Sequence, residues 1–183
     1  MGSRMKNKQI TLDAKDLLVV LEMAYAKDLS PWTYTTLASR LGMSASQVHG
    51  AVGRLMASGL LTPKGIKGEV NREGLADFII HGARYVFPAV FGKISRGIST
   101  GVSSEFFQAG LLAKEGEDWV WPSSNGDARG MSLMPLHPSV LKAVRQDKQL
   151  QEALVHFDVL RGGQARERKV AEAFFRNSLA WHS

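Results

Sequence analysis

The sequence predicts a protein of the α+β class, with helices at both ends of the chain and strands between them. Apolar residues recur at helical spacing from Ile10 to Ala83 and again after His137. Between these parts the chain is rich in aromatic and β-branched residues and contains an Asn125-Gly126 turn signal. We expect a remnant of cloning at 1–4, an N-terminal domain at 5–83, a β-rich unit of unknown role at 84–136, and helices at 137–183.

Composition narrows the classes of partner and compartment. The 183-residue chain carries a formal net charge of +6 and a sequence pI of about 9.7, which favours a polyanionic partner. It has no cysteine, which excludes disulfides, thiolate catalysis and cysteine-ligated metal sites. No stretch approaches the roughly 20 apolar residues of a membrane helix, and no secretory signal is evident. We therefore expect a cytoplasmic protein without a membrane partner.

The segment WTYTTLASRLGMSASQVHGAVGRLMASGLLT, residues 32–62, predicts two helices joined by a tight turn. Gly42 follows the first helix, Thr33–Leu41, where a left-handed residue commonly ends a helix. Ser44 and Gln47 form a capping-box pattern at the start of the second helix, which Gly59 closes. A preceding helix is predicted over Ile10–Ala26, with Thr11 as its cap. The second helix is expected to bury Val48, Ala51, Val52, Leu55 and Met56.

These residues resemble the helix-turn-helix of bacterial winged-helix transcription regulators, loosely of the MarR type. The resemblance rests on LASRLGMS, SQVHGAVGRL and the ASGLL that leads into a stretch with glycine and lysine, and it covers about the first 80 residues. It implies a homodimer that binds double-stranded DNA at a palindromic operator and represses its own or a neighbouring operon. The β-rich unit and the C-terminal helices would then sense a small-molecule or protein effector, or simply build the dimer.

Candidate DNA contacts follow from this architecture. The N-terminal half of the second helix would enter the major groove, where Ser46 and Gln47 can reach base edges. The start of the first helix would contact phosphates, as would a short wing predicted over Leu60–Val70 with Lys64–Gly68 at its tip. Gly50 and Gly53 would let a groove approach closely, or would let another helix pack. The predicted DNA-binding residues are Thr33, Tyr34, Thr36, Ser44, Ser46, Gln47, His49, Gly50, Arg54, Lys64 and Lys67.

Charge placement supports the same interpretation. From Leu29 to Arg72 the sequence has one acidic residue, Glu69, and five basic residues: Arg40, Arg54, Lys64, Lys67 and Arg72. The acidic residues of the preceding helix are expected to face away from DNA; they are Asp13, Asp16, Glu22 and Asp28.

The sequence after residue 70 predicts further helices and strands. A helix is expected over Asn71–Ala83, then a strand in RYVFPAVFG from Arg84, then a long loop or short strands in KISRGISTGVSSEFFQAG. DWVWP and MSLMP flank the Asn-Gly turn. The C-terminal helices Pro138–Arg145, Lys148–Leu160 and Ala165–Trp181 include a hairpin joined by Gly-Gly. That hairpin fits either a dimerisation element or a cover for the β-rich unit within one chain.

Enzyme signatures are missing. Ile94 stands where a phosphate-binding loop needs serine or threonine, and the five histidines lack metal-ligand spacing. We expect no enzyme, no cofactor and no metal. Trp119 and Trp121 fit a strand face in the core better than a ligand pocket. The alternative to DNA binding is an adaptor whose winged helix docks a partner protein.

Overall fold

The structure mixes helices and strands and ends in two long helices, as expected for the predicted α+β class. It is a computed structural model that describes residues 9–27, 32–63, 68–107 and 118–180. The helices are α1 (Ala14–Tyr25), α2 (Tyr34–Leu41), α3 (Ala45–Ala57), α4 (Arg72–Asp77), α5 (Arg84–Val86), α6 (Val140–Ala143), α7 (Lys148–Gly162) and α8 (Ala165–Ala180). The strands are β1 (Leu61–Thr62), β2 (Glu69–Val70), β3 (Phe91–Thr100), β4 (Trp119–Pro122) and β5 (Ala128–Leu133).

Helix α1 begins later than predicted. Its N-cap is Asp13, not Thr11, because the Asp13 carboxylate accepts from the N–H of Ala14 at 2.9 Å. The carboxylate of Asp16 reciprocates by accepting from the N–H of Asp13 at 2.8 Å. Two carboxylates near the helix N-terminus satisfy free N–H groups and complement the helix dipole, so they set the boundary.

The predicted strand at Arg84 is wrong. The helix capped by Asn71 continues through a π-helical segment, Phe78–Ala83, into α5. It stops at Phe87, whose φ of −124° reflects the steric restriction that the following Pro88 imposes. The strand starts only at Phe91 and runs for ten residues through the segment predicted as a loop or short strands.

Strands β3, β4 and β5 close into a small three-stranded barrel. β3 pairs antiparallel with both other strands, and β4 pairs with β5 in parallel over Trp119–Met131 and Val120–Ser132. DWVWP and MSLMP thus do contain strands, but the turn between them does not make a simple hairpin. The closure leaves no room for side chains at two glycines: a Cβ on Gly97 would lie 2.1 Å from the carbonyl oxygen of Trp121, and one on Gly126 would lie 2.0 Å from the carbonyl carbon of Gly97.

Helix α7 lies at the centre of the core. The sequence predicts an apolar stripe of Leu150, Leu154 and Phe157, but every residue from Ala153 to Leu160 is buried, as are Leu150 and Gln151. A helix that is buried on all sides packs against several elements at once. The core is accordingly continuous across the predicted boundaries after residues 83 and 136.

The buried carboxylate of Asp158 joins α7 to the barrel. Its Oδ2 accepts from the Thr100 hydroxyl at 2.7 Å and from the Trp121 indole N–H at 2.6 Å. Its Oδ1 accepts from Arg161, whose guanidinium also donates to the carbonyl oxygen of Met134 at 2.9 Å. Burial raises the pKa of Asp158, and the charge of Arg161 opposes that shift. Both tryptophans of β4 are buried, which confirms their prediction as core residues.

Helix α8 packs on α7 and α1 within the same chain. The hydroxyls of Tyr25 and Ser178 form a 2.7 Å hydrogen bond, and the Tyr25 and Phe174 rings stack. The helical spacing of α8 predicts an apolar stripe of Val170, Phe174 and Leu179, but Val170 is 39% exposed while the next residue, Ala171, is buried. The C-terminal hairpin is therefore part of the intrachain core, and its role between chains stays a prediction.

His156 is a buried titratable group within this core. Its ring stacks on Phe174 with a centroid separation of 3.9 Å, lies edge-on to Phe107, and hydrogen-bonds through Nδ1 to the carbonyl oxygen of Glu152. Burial lowers the pKa of His156 below its ordinary value of 6.5 because no carboxylate in contact offsets the desolvation of the imidazolium.

The Asp158–Arg161 pair predicts a strong dependence on both partners. Asp158→Leu should lower the free energy of unfolding by about 3–5 kcal/mol, because the buried Arg161 charge loses its partner. Asp158→Leu combined with Arg161→Met should recover part of that loss, since no buried charge then remains. Urea unfolding of the three proteins measures both effects. A double variant no more stable than Asp158→Leu alone would contradict the paired arrangement.

The burial of His156 predicts loss of stability in mild acid. The unfolded chain binds a proton at His156 near pH 6.5 while the folded chain resists it, so stability is full above about pH 6.5 and falls below it. His156→Phe keeps the ring stack and should flatten the decline by up to about 1.4 kcal/mol per pH unit. Urea unfolding at several pH values tests this, and an equal slope in both proteins would assign the decline to other groups.

Candidate nucleic-acid interface

The turn between α2 and α3 has the predicted geometry. Thr33 caps α2 in a capping box with Thr36, and Ser44 caps α3 in a capping box with Gln47. The Ser44 hydroxyl accepts from the Gln47 N–H at 3.2 Å, and Gln47 Oε1 accepts from the Ser44 N–H at 2.9 Å. Gly42 adopts a φ of +64°, the left-handed conformation that ends α2. These caps fix where each helix begins and how α3 leaves the turn.

Helix α3 presents a small, uncharged outer face. Ser46, Gln47, His49 and Gly53 are exposed and Gly50 is half-buried. The inner face buries Val48, Ala51, Val52 and Leu55 as predicted, whereas Met56 is only half-buried. The side chains predicted to reach base edges therefore lie together on one surface of a packed helix.

The two glycines of this face are not required by packing among the described residues. A Cβ on Gly53 would have no heavy atom of a neighbouring element within 4 Å, and one on Gly50 would meet only the Arg54 guanidinium at 3.4 Å. Glycine within a helix costs up to about 1 kcal/mol relative to alanine. In the described part of the chain, the alternative that these glycines admit a packing helix has no support.

Aromatic rings connect the start of α2 to this face. Tyr34 meets His49 edge-on with a centroid separation of 5.1 Å, and it meets Trp32 at 5.6 Å. The Thr36 hydroxyl donates to the carbonyl oxygen of Thr33, so its proton serves the cap. A phosphate at this end of α2 would consequently be bound through backbone N–H groups of the first turn.

Of the four acidic residues expected to face away from DNA, Asp16 and Glu22 are buried in ion pairs and Asp28 lies outside the described residues. Asp16 is fully buried, and both of its oxygens accept from Arg54, each at 2.7 Å. Glu22 is also buried and pairs with Arg40, which donates at 2.7 Å to Asp147 as well. Burial raises the pKa of Glu22, and the Arg40 contact opposes the shift. Arg54 therefore has two of its three nitrogens committed to the core.

This pairing changes the charge balance of the interface. Arg72 donates to the carbonyl oxygen of Ala24. The three arginines between Leu29 and Arg72, which are Arg40, Arg54 and Arg72 itself, therefore all have partners in α1. The predicted wing residues Lys64 and Lys67 lie outside the described residues.

The cationic side chain of Lys142 lies beside the turn between α2 and α3, a position that the local sequence could not predict. The Lys142 side chain lies against Gly42, where a Cβ would be 2.6 Å from Lys142 Cδ. This lysine belongs to α6, which is 100 residues distant in the chain and packs on α2 only in the folded protein.

Other kinds of site receive little support. Within residues 9–27, 32–63, 68–107 and 118–180, no group of three or more His, Asp or Glu residues could hold a metal ion. A surface groove of about 610 Å³ lies between β2, α4 and α8, with a mixed lining that includes Glu69, Arg72, Asp77 and Arg176. Among the described helices, none combines the length and apolar character needed to cross a bilayer.

Comparison with known proteins gives no family assignment. No protein-family model, curated protein sequence or solved structure matches this chain.

The open surface above Gly53 predicts a stabilising substitution. Gly53→Ala should raise the free energy of unfolding by up to about 1 kcal/mol, because alanine favours the helix and its methyl group meets no neighbour. Urea unfolding measures the change, with Gly97→Ala as a destabilising control in the crowded barrel. A less stable Gly53→Ala protein would mean that Gly53 contacts another part of the chain.

Proposed function

We propose that this protein is a sequence-specific DNA-binding transcription regulator that uses α1–α3 and the β1–β2 hairpin as a winged helix. The order of three helices followed by an antiparallel hairpin is consistent with that architecture. In this proposal α3 enters the major groove, and the first turn of α2 lies on the phosphate backbone. The protein acts as a homodimer and represses its own or a neighbouring operon.

The open glycine face of α3 is the observation that carries the proposal. Gly50 and Gly53 weaken the helix, and neither is needed for packing among the described residues. Close approach of α3 to the major groove would account for this loss of helix stability, because larger side chains at these positions would hold the helix away from the bases. The same face has no acidic residue that would repel phosphates.

Gln47 is the principal base reader in this proposal. Its Oε1 caps α3, so its amide nitrogen is the part of the side chain left to donate to a base. Donation suits the guanine N7 or O6, or the thymine O4. Two-point pairing with adenine also needs the oxygen, and would require the cap to open.

Phosphate attraction is expected to be modest for each chain. Arg40 and Arg54 are held in ion pairs, so Lys64, Lys67 and Lys142 are the proposed side-chain donors to phosphate. Each phosphate contact adds about 0.9 to the magnitude of the slope of log K against log salt concentration. A dimer doubles the number and sets two α3 helices about 34 Å apart, one turn of DNA.

Selection from a random duplex library tests the proposal directly. The enriched sequence is then titrated by fluorescence anisotropy at two salt concentrations, beside a scrambled duplex. We expect a symmetric consensus with half-sites about one helical turn apart, bound well above the scrambled sequence. Weak binding without a consensus would refute sequence-specific regulation.

Substitution of Gln47 separates DNA contact from helix capping. Gln47→Glu retains the capping acceptor and should keep the protein stable, yet its charge should abolish DNA binding. Gln47→Ala should weaken specific binding by about 1–3 kcal/mol while sparing random DNA. Anisotropy and urea unfolding are measured on both variants. Unchanged affinity in Gln47→Glu would remove α3 from the interface.

The proposed wing predicts a salt signature. Lys64→Ala with Lys67→Ala should weaken binding to every sequence and lower the salt slope by about 2 per chain. Lys169→Ala, on an exposed position of α8, is the matched control and should leave the slope unchanged. A slope that stays constant in the double variant would place the wing outside the interface.

A protein-docking adaptor is the second candidate. The observation that favours it is the loss of free arginine charge near α3, together with the Trp32–Tyr34–His49 ring cluster beside it. Aromatic residues are enriched in protein interfaces, and charged residues are depleted from their centres. The failure of the duplex selection, with a stable and folded protein, would give this candidate precedence.

A further inference from the structure

Exposed apolar side chains are concentrated in the barrel strands and in the segment that leads into them. Nine large apolar residues of the described part are exposed to solvent, and seven of them fall within 85–94 and 131–134. Ile94 is 67% exposed and Met134 is 60% exposed. Scattered exposed apolar residues are normal, but a cluster of this kind marks an interaction surface.

Five of these residues form a contiguous patch, which we call the barrel patch: Val90, Phe91, Ile94, Met131 and Met134. Ile94 and Met131 are directly opposite partners in β3 and β5, so their side chains lie on the same face. The Met134 N–H donates to the carbonyl oxygen of Val90 at 2.9 Å. A cleft of about 280 Å³ is lined by Val90, Phe91 and Met134 of this patch, mostly by apolar groups, and is bounded by Pro122 and Pro135.

The barrel patch is held rigidly from beneath. The Phe91 ring packs edge-on against buried Trp119, with a centroid separation of 4.9 Å. Arg161 donates to the carbonyl oxygen of Met134 while it pairs with Asp158. A binding surface that is already ordered loses little conformational entropy when a partner arrives.

Basic side chains outnumber acidic ones on the barrel segments that carry the patch. Lys93, Arg96 and Arg129 are exposed, whereas Asp118 and Asp127 are the acidic residues of the described barrel segments. Arg96 and Arg129 are direct cross-strand partners, and like charges in that relation destabilise a sheet. An anionic partner would relieve this repulsion.

We propose that the barrel patch docks an acidic, amphipathic segment of a second protein. Apolar side chains of that segment fill the cleft and cover Ile94 and Met131, and its carboxylates face Lys93, Arg96 and Arg129. This inference is independent of DNA binding by α3.

Two other occupants fit the barrel patch less well. A second copy in a two-fold arrangement would bring the paired arginines of each chain towards those of the other. Single-stranded nucleic acid stacks its bases on aromatic rings, whereas this patch is mainly aliphatic and methionine, and its one ring packs on Trp119.

Peptide selection on the full chain tests the docking surface. A phage-displayed library of random 12-residue peptides is selected on the wild-type protein, and the consensus peptide is titrated by anisotropy. We expect peptides with apolar anchors and net negative charge. Ile94→Ser with Met131→Ser should weaken binding by about tenfold or more, and Lys93→Glu with Arg129→Glu should reverse the preference to basic peptides. Val170→Ser, an exposed apolar residue of α8, is the matched control and should have no effect.

Each alternative outcome is distinct. The substituted side chains are exposed, so thermal unfolding should be unchanged, and the binding comparison uses folded proteins. The proposal fails if no acidic peptide is enriched, or if the consensus peptide binds Ile94→Ser/Met131→Ser as tightly as wild type. Self-association of the wild-type chain that this double variant abolishes would identify a second copy as the occupant. Loss of single-stranded oligonucleotide binding in the double variant, without peptide binding in wild type, would identify nucleic acid.

Discussion

The buried carboxylate of Asp158 is the contact on which the arrangement of the C-terminal half depends. The barrel has only three strands, and buried side chains of β3 and β4 bond to α7. Asp158 satisfies the hydroxyl of Thr100 and the indole of Trp121, which β3 and β4 bring to the same point. Burying a carboxylate is costly unless it is paired and fully hydrogen-bonded, and Arg161 supplies the opposite charge. The position of the barrel on α7 is therefore specified by polar geometry as well as by apolar contact.

Ion pairs fix the N-terminal helices in a related way, at a cost to surface charge. Asp16 and Glu22 are buried on α1 and take their counter-charges from α3 and α2. Removing Arg40 or Arg54 would leave a buried carboxylate unpaired, so both arginines stabilise the fold. The +6 charge of the chain must act through other residues, including the exposed lysines and arginines of the barrel and α8. Such dispersed charge raises the rate of encounter with a polyanion more than it holds a particular contact.

Local signals in the sequence predicted the parts of the fold that local chemistry determines. The cap at Ser44 and the left-handed turn at Gly42 depend on residues within a few positions, and both are confirmed. The strand predicted at Arg84 failed because the helix capped by Asn71 continues to Val86, where Tyr85 and Val86 are exposed rather than packed in a sheet. Contacts between residues far apart in the sequence could not be predicted. No local pattern connects Arg54 with Asp16 or Lys142 with Gly42, or indicates that β4 and β5 pair in parallel. The all-round burial of α7 was missed because Asp158, Arg161 and His156 suggest a solvent-facing side until their partners are known.

Helix α7 physically connects the two surfaces on which function is proposed. Its N-cap, Asp147, pairs with Arg40 of α2, and Asp158, eleven residues later, holds the barrel. At 1.5 Å per residue the two contacts are about 16 Å apart along one buried helix. A displacement of the barrel relative to α7 would break the bonds of Asp158, whereas a displacement of α2 would break the Arg40 pairs. Both surfaces are thus anchored to α7. A partner on the barrel patch could affect α3 only if it bound one arrangement of α7 and its neighbours more tightly than another.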